Sequence, residues 1–241
     1  MKRAITICIA ALGIAAGWAT VAAAGAVRIS EVYAGGGPDS QGNSVYDTDY
    51  VELFNASGSP VDVGGWMLVS DNYITGGSTP PNPFTCAGCS GTIPSNTIIN
   101  PCSYLLIKLG APSTFGDGGP IPIPADIAIA TPSLMGSRGD GALTLLSSGT
   151  PDGTCSVGLS RVDLVGWGFT RCWLGSPAPV FGPSSALVRL SGGMADTSDN
   201  AADFVVTQSF IPRNAASPAN AICLQTPALP GSWGHLKALY R

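Results

Sequence analysis

The chain has 241 residues, with 32 glycines and 20 prolines but only 11% charged residues. That balance favours short strands and turns over long amphipathic helices, and the length suits one all-β domain. The formal net charge of −4 argues against sequence-independent gripping of nucleic acid, which needs a basic surface.

The chain opens with Lys2 and Arg3, runs through apolar residues from Ala4 to about Ala16, and reaches small residues at Ala22–Ala24. This order predicts a secretory signal peptide over residues 1–24 and a protein that is secreted or held at the cell surface. An uncleaved anchor is the alternative, since residues 4–24 are nearly all apolar and about long enough to span a bilayer; the small residues favour cleavage. Cys8 sits in the apolar run without a lipidation context. Removing residues 1–24 takes two basic residues and no acid, leaving 9 basic against 15 acidic residues and a charge of −6.

A predicted strand at Val27–Tyr33 leads into a glycine-rich loop, Gly35–Asn43, that ends in Asp47-Thr48-Asp49. In Tyr50–Asn55, Val51 and Leu53 share one face while Tyr50, Glu52 and Phe54 share the other, as a pleated strand requires. Asn55–Pro60 is rich in turn formers, and Val61–Val69 follows; together these segments predict a β-hairpin with Trp66 as its core anchor. Residues 70–101 read as a long insertion, and the sandwich resumes at Ser103–Lys108. Gly110–Pro124 is a second Pro- and Gly-rich loop. Ala142–Leu146 and Val162–Val165 predict another hairpin, and further strands are expected at Ala186–Leu190 and Phe204–Val206. One domain, residues 25–223, therefore precedes a linker and short amphipathic tail at 224–241, where Trp233, Leu236, Leu239 and Tyr240 lie at helical spacings. That tail reads equally as a sorting or docking tag and as a frayed helix.

Several segments in combination resemble the lamin tail domain, an immunoglobulin-like β-sandwich. They are Ile29-Ser30-Glu31-Val32, Tyr50–Asn55, Pro60-Val61-Asp62, Gly65-Trp66 with Leu68, Val162–Gly168, Asp196–Phe204 and Pro212-Arg213-Asn214. The resemblance spans roughly residues 27–218 and looks like the bacterial secreted form that accompanies extracellular nucleases. It implies an all-β, immunoglobulin-like sandwich with a loop-rich, Pro/Gly-rich C-terminal extension. In that family a cysteine near the position of Cys172 has a partner just ahead of the Asp-Thr-x-Asp-Asn run, where this chain has Gly193-Met194-Ala195. The resemblance thus implies that Cys172 pairs with Cys155, with Cys223 or not at all.

Beyond Cys8 there are six cysteines: Cys86, Cys89, Cys102, Cys155, Cys172 and Cys223. In an exported chain they predict disulfides, with fifteen pairings open, and Cys86, Cys89 and Cys102 are expected to pin the 70–101 loop. A redox or zinc role for Cys86-Ala87-Gly88-Cys89 lacks a thioredoxin-like context and enough ligands. Asp39, Asp47 and Asp49 could meet a hard cation, and Asp196, Asp199 and Asp203 could join Asp47 and Asp49 in a calcium site. The preferred reading makes Asp47–Asp49 a solvated loop and Asp196–Phe204 a structural clasp of Asx-turns and helix capping, with no cofactor and a structural calcium as the alternative.

No catalytic constellation is expected. The single histidine, His235, lies in the tail, and neither a Gly-x-Ser-x-Gly elbow nor a phosphate-binding loop occurs. Glu31 and Glu52 could act as a glycosidase pair but are read as structural, with Arg28 a nearby charge partner. Arg138-Gly139-Asp140 is read as a turn and not as an integrin motif. The chain is therefore expected to be a non-catalytic module that binds an envelope, surface or extracellular partner; the alternative is a metal-assisted hydrolase or nuclease accessory using acidic loops.

Overall fold

The computed structural model describes residues 25–37, 42–71, 89–114, 118–132, 134, 139–148, 155 and 160–225. In chain order the strands are β1 Val27–Tyr33, β2 Asp49–Asn55, β3 Val61–Asp62, β4 Met67–Asp71, β5 Ser90–Thr92, β6 Ile98–Ile99, β7 Tyr104–Leu109, β8 Ile127–Ile129, β9 Gly141–Leu146, β10 Arg161–Trp167, β11 Ala186–Arg189 and β12 Phe204–Thr207, with the short helix α1 at Asn200–Asp203. Among the described residues, one sheet has the order β12-β11-β1-β2-β7-β8 and the other the order β10-β9-β4-β5, while β3 and β6 form a small ribbon. Among these strands the pairings are antiparallel except that of β7 with β8. The result is an all-β, immunoglobulin-like sandwich.

Alternation along the strands sends one set of side chains into the space between the sheets. Val27, Ile29, Val32, Val51, Leu53, Leu68, Leu105, Ile107, Leu143, Leu145 and Val165 meet there, with Trp66 and Trp167 among them. Trp66 is buried as expected of an anchor, but Trp167, packed 5.3 Å from the Phe181 ring, is the largest fully buried side chain. In β1 the register slips between Ile29 and Glu31, so Ser30 is the extra residue of a bulge. Val27 and Ile29 therefore face the core before it and Val32 after it, while Glu31 and Tyr33 turn to the outer face.

That outer face is covered. Tyr33, Tyr50, Leu106, Ala186 and Phe210 form a second apolar cluster, with Ile121, Ile123 and Ala125 packed against it. All seven residues of β2 are buried as a result. The covering layer consists of the 119–126 segment and a C-terminal strap, Phe210–Cys223. The strap is held by Asn214 donating to the Pro124 carbonyl (3.0 Å), the Ala215 amide to Asp126 (3.0 Å) and the Asn220 amide to the Cys102 carbonyl (2.8 Å).

The expected hairpin between Tyr50–Asn55 and Val61–Val69 does not form. β2 pairs with β1 and β7, whereas β4 pairs with β5 and β9 in the opposite sheet. Asn55 explains the crossing: its side-chain amide donates to Ser59, Ile99 and Asn100 carbonyls at 2.8–3.2 Å, tying the turn to the β6 end of the sandwich and away from a return beside β2. The insertion assigned to 70–101 is shorter than expected, since Ser90–Thr92 and Ile98–Ile99 are strands. The second hairpin does form, as β9 and β10 pair antiparallel from Gly141–Trp167 to Leu146–Arg161. Residues 1–24 and 226–241, and with them the signal peptide and the Trp233–Arg241 tail, lie outside the described residues.

Candidate functional site

The strongest concentration of buried charge is on the outer face of the larger sheet. Glu31 and Glu52 stand opposite each other across β1 and β2, both shielded from solvent. Arg213 reaches down from the strap and forks onto Glu52: its Nη2 donates to Oε1 at 2.7 Å, while its backbone N–H and Nε donate to Oε2 at 2.7 and 3.1 Å. The Ser30 hydroxyl at the bulge also donates to Glu52. Arg213 Nη1 donates to the Tyr104 hydroxyl at 2.8 Å, and its guanidinium lies 3.9 Å from the Tyr104 ring centre. This corrects the expectation that Arg28 serves the pair: Arg28 instead meets Asp196 at 2.9 Å and the Met194 carbonyl at 2.7 Å.

Glu31 accepts from the Tyr50 hydroxyl and forms no ion pair among the described residues, although the Arg213 charge acts on it from a distance. Burial first, and then the neighbouring Glu52 charge, push its carboxyl up to about 8. Burial also raises Glu52, against the opposing pull of Arg213. Tyr50 is raised by burial and by Glu31. Burial disfavours the Arg213 charge, but Glu52, with Tyr104 and Glu31, together outweigh it and leave the guanidinium more firmly protonated.

A second buried cluster joins the two sheets. Arg189 Nε donates to the Ile29 carbonyl (2.7 Å), Nη1 to the Ala195 carbonyl (3.0 Å) and to Asp203 (3.4 Å), and Nη2 to Asp163 (2.6 Å). Its guanidinium lies 4.3 Å over the Phe204 ring. Asp163 also accepts from the Ile29 amide at 2.7 Å, so one carboxylate of β10 is bonded to both β1 and β11. These groups neutralise and orient one another; none is placed to receive a substrate.

The Asp196–Phe204 segment is ordered by its own acids. Asp199 is the N-cap of α1 and accepts from the amides of Ala201 and Ser176. Asp203 accepts from the Thr197 amide. Asn200 takes the amides of Gly166 and Leu174 at 3.0 Å and donates to the Leu164 carbonyl at 2.9 Å, so its carboxamide fills the open edge of β10 as a neighbouring strand would. Gly166 is required there: a Cβ would come within 1.8 Å of the Cys172 carbonyl.

The five aspartates considered for calcium are not brought together. Asp49 accepts from the amides of Gly36 and Leu134 beyond the Tyr33 end of β1, and Asp47 accepts from the Thr48 hydroxyl. Asp196 pairs with Arg28 at the other end of that strand, roughly 20 Å away for seven extended residues. Among the described residues no group of three or more His, Cys, Asp or Glu could hold a metal ion. Asp39 lies outside the described residues. Of the Arg138-Gly139-Asp140 tripeptide, Asp140 is buried and accepts from the Phe169 amide at 2.9 Å.

Two disulfides join described residues, Cys102–Cys223 and Cys155–Cys172. Cys102 therefore ties the start of β7 to the strap and not to the 70–101 loop, because Cys223 follows Asn220, whose amide docks on the Cys102 carbonyl. Cys89 is disulfide-bonded as well, and Cys86 lies outside the described residues. Such bonds belong to an oxidising environment. Among the described residues, no helix is long and apolar enough to cross a membrane. An open cleft of about 500 Å³ lies between Tyr104, Gly192 and Arg213 and the Pro218–Ile222 part of the strap, and a smaller one of about 200 Å³ lies beside Asp47 and Lys108.

Sequence reasoning named Glu52 and Asp203, but missed Arg213 and Arg189 as their respective partners. The one signal for Arg213 was its place in Pro212-Arg213-Asn214.

The family model described as Lamin Tail Domain matches residues 20–169. The match stops short of the Asp196–Phe204 and Pro212–Asn214 segments. A crystal structure of a DUF4876 family protein from Bacteroides thetaiotaomicron is similar, with 12% sequence identity and a TM-score of 0.47, over 86% of this chain and 75% of that one. No curated protein matches the chain.

Proposed function

The chain belongs to the lamin tail domain family, and from that premise we propose that it is an exported, non-catalytic module that binds a partner at the cell surface or outside the cell. One observation carries the reading. The carboxylate pair best placed for acid–base work, Glu31 and Glu52, is sealed beneath the strap and held by Arg213 and Tyr50, whereas a general acid or base must come within hydrogen-bond reach of a substrate. Asp163 and Asp203 are likewise occupied by Arg189. The disulfides suit an oxidising compartment, and the apolar N-terminal run with its small-residue end suits export. The net negative charge favours a protein or glycan partner over nucleic acid.

The test is affinity capture from cell-envelope components with the purified mature chain, run beside hydrolysis assays on nucleic acid, glycan and ester polymers with calcium, with magnesium and with chelator. Saturable retention of one envelope component without turnover is expected. Divalent-ion-dependent hydrolysis that copurifies with the chain would overturn the proposal in favour of an acidic-loop hydrolase.

A further inference from the structure

Beneath the strap, two carboxylates share one cation. Glu31 and Glu52 are in register on adjacent central strands, and Arg213 commits its backbone N–H, Nε and Nη2 to Glu52 and Nη1 to Tyr104. Glu31 is left with a neutral donor, the Tyr50 hydroxyl. The groups facing the pair are Tyr50 from β2, Tyr46 from the preceding loop, Tyr104 from β7, Arg213 from the strap and, across from Glu31 on β11, the apolar Val188. Among the described residues, a second negative charge here would meet no second positive one.

We propose that Glu31 is the proton-controlled element of a latch: its neutral carboxyl keeps the Phe210–Ala219 part of the strap closed on β2, and its ionisation at alkaline pH competes with Glu52 for Arg213 and loosens that segment. With Glu31 raised to about 8, the loss begins in the ordinary carboxylate range and is complete just above neutrality. Because the folded-state value lies above that of an ordinary carboxyl, the stabilisation is fully present below the ordinary carboxylate range and is lost as pH rises through about 8. Cys102–Cys223 and the Asn220 contacts hold the far end of the strap, so the opening is local. The segment that lifts carries Phe210, whose ring stacks 5.5 Å from Tyr33. The open state therefore exposes an aromatic face of Tyr33 and Tyr50 that neutral pH conceals.

The test is amide hydrogen exchange on the whole oxidised chain from pH 7 to 9, corrected for the intrinsic pH dependence of exchange. The amides of Arg213 and Ala215 report the latch, and that of Leu145 in β9 reports the core. In the wild type the latch amides should lose protection about tenfold more than Leu145, and in Glu31→Gln this difference should vanish. Equal loss at Leu145, unchanged latch protection in the wild type, or the same loss in a folded Glu31→Gln protein would each overturn the proposal. Tyr50→Phe serves as the second variant and decides the matter should Glu31→Gln fail to fold. Removing the hydroxyl that favours the ionised carboxyl should move the midpoint of the transition to higher pH, whereas a midpoint that stays put or falls rejects Glu31 as the titrating group.

Discussion

Replacing Arg189 with Met tests whether the inter-sheet cluster holds the sandwich together. Methionine retains much of the apolar stem but removes four hydrogen bonds and the charge between Asp163 and Asp203, both nearly excluded from solvent. Breaking a buried ion pair from one side costs about 3–5 kcal/mol, because the remaining charge is left without compensation. Here two carboxylates and the carbonyls of Ile29 and Ala195 lose their partner together, and the contact with Phe204 is lost as well. A loss of about 4 kcal/mol or more is therefore expected, against the roughly 5–15 kcal/mol that holds a typical domain folded. Urea unfolding followed by tryptophan fluorescence measures it from the shift in midpoint at constant slope. Adding Asp163→Asn and Asp203→Asn to the Met variant should restore at least half of the loss, since the uncompensated charges are gone. A loss below about 1 kcal/mol, or a triple variant no better than the single, would show that packing and not charge makes the junction.

Other expectations follow the same structure. Asn200→Ala leaves the Leu164 carbonyl and the Gly166 and Leu174 amides without partners and should cost about 2–3 kcal/mol, read by the same unfolding assay. Replacing both cysteines of a bridge by alanine should cost about 5 kcal/mol for Cys102–Cys223, whose sequence separation is 121, but only about 3 kcal/mol for Cys155–Cys172, separated by 17, if restriction of the unfolded chain dominates; a reversed order in calorimetry would contradict this. Trp66→Ala should cost about 3–5 kcal/mol, and a change under about 1 kcal/mol would take Trp66 out of the core.

The strands were legible because their signals are local. Val27–Tyr33 and Val162–Val165 concentrate branched and aromatic residues between turn formers, and both are strands in the structure. Which strands pair was less legible. Asn55–Pro60 has the chemistry of a turn, but the same residues serve equally to return a chain beside itself or to carry it into the facing sheet. Asn55 decides through carbonyls of residues 99 and 100, more than forty positions away. A clue lay in β2 itself, where large residues on both faces fit a central strand covered on both sides better than the arm of a half-exposed hairpin. The charge pairing was hidden for the same reason of range: Arg213 and Glu52 are separated by 161 positions, and no local period relates them. Asp199 was readable as a cap because Asx-type bonding acts within a few residues, whereas Asp196 and Asp203 are held by the distant Arg28 and Arg189.

The long-range fasteners share a direction that gives the C-terminal extension its meaning. Arg28 on β1 holds Asp196, Arg189 on β11 draws in Asp163 and Asp203, Arg213 in the strap holds Glu52, and Cys223 is bonded to Cys102. Apart from Arg189–Asp203, which is internal to it, each joins the chain beyond residue 185 to the part within the family match, and β11 and β12 complete the larger sheet beside β1. The extension is therefore part of the sandwich, since without it the buried charges of Glu52 and Asp163 would have no counterion and the edge of β10 would be open. It also explains why a chain with so few charged residues places several of them inside. Buried ion pairs hold the extension in one register at the expense of desolvation, whereas apolar contacts alone would tolerate sliding along the sheet.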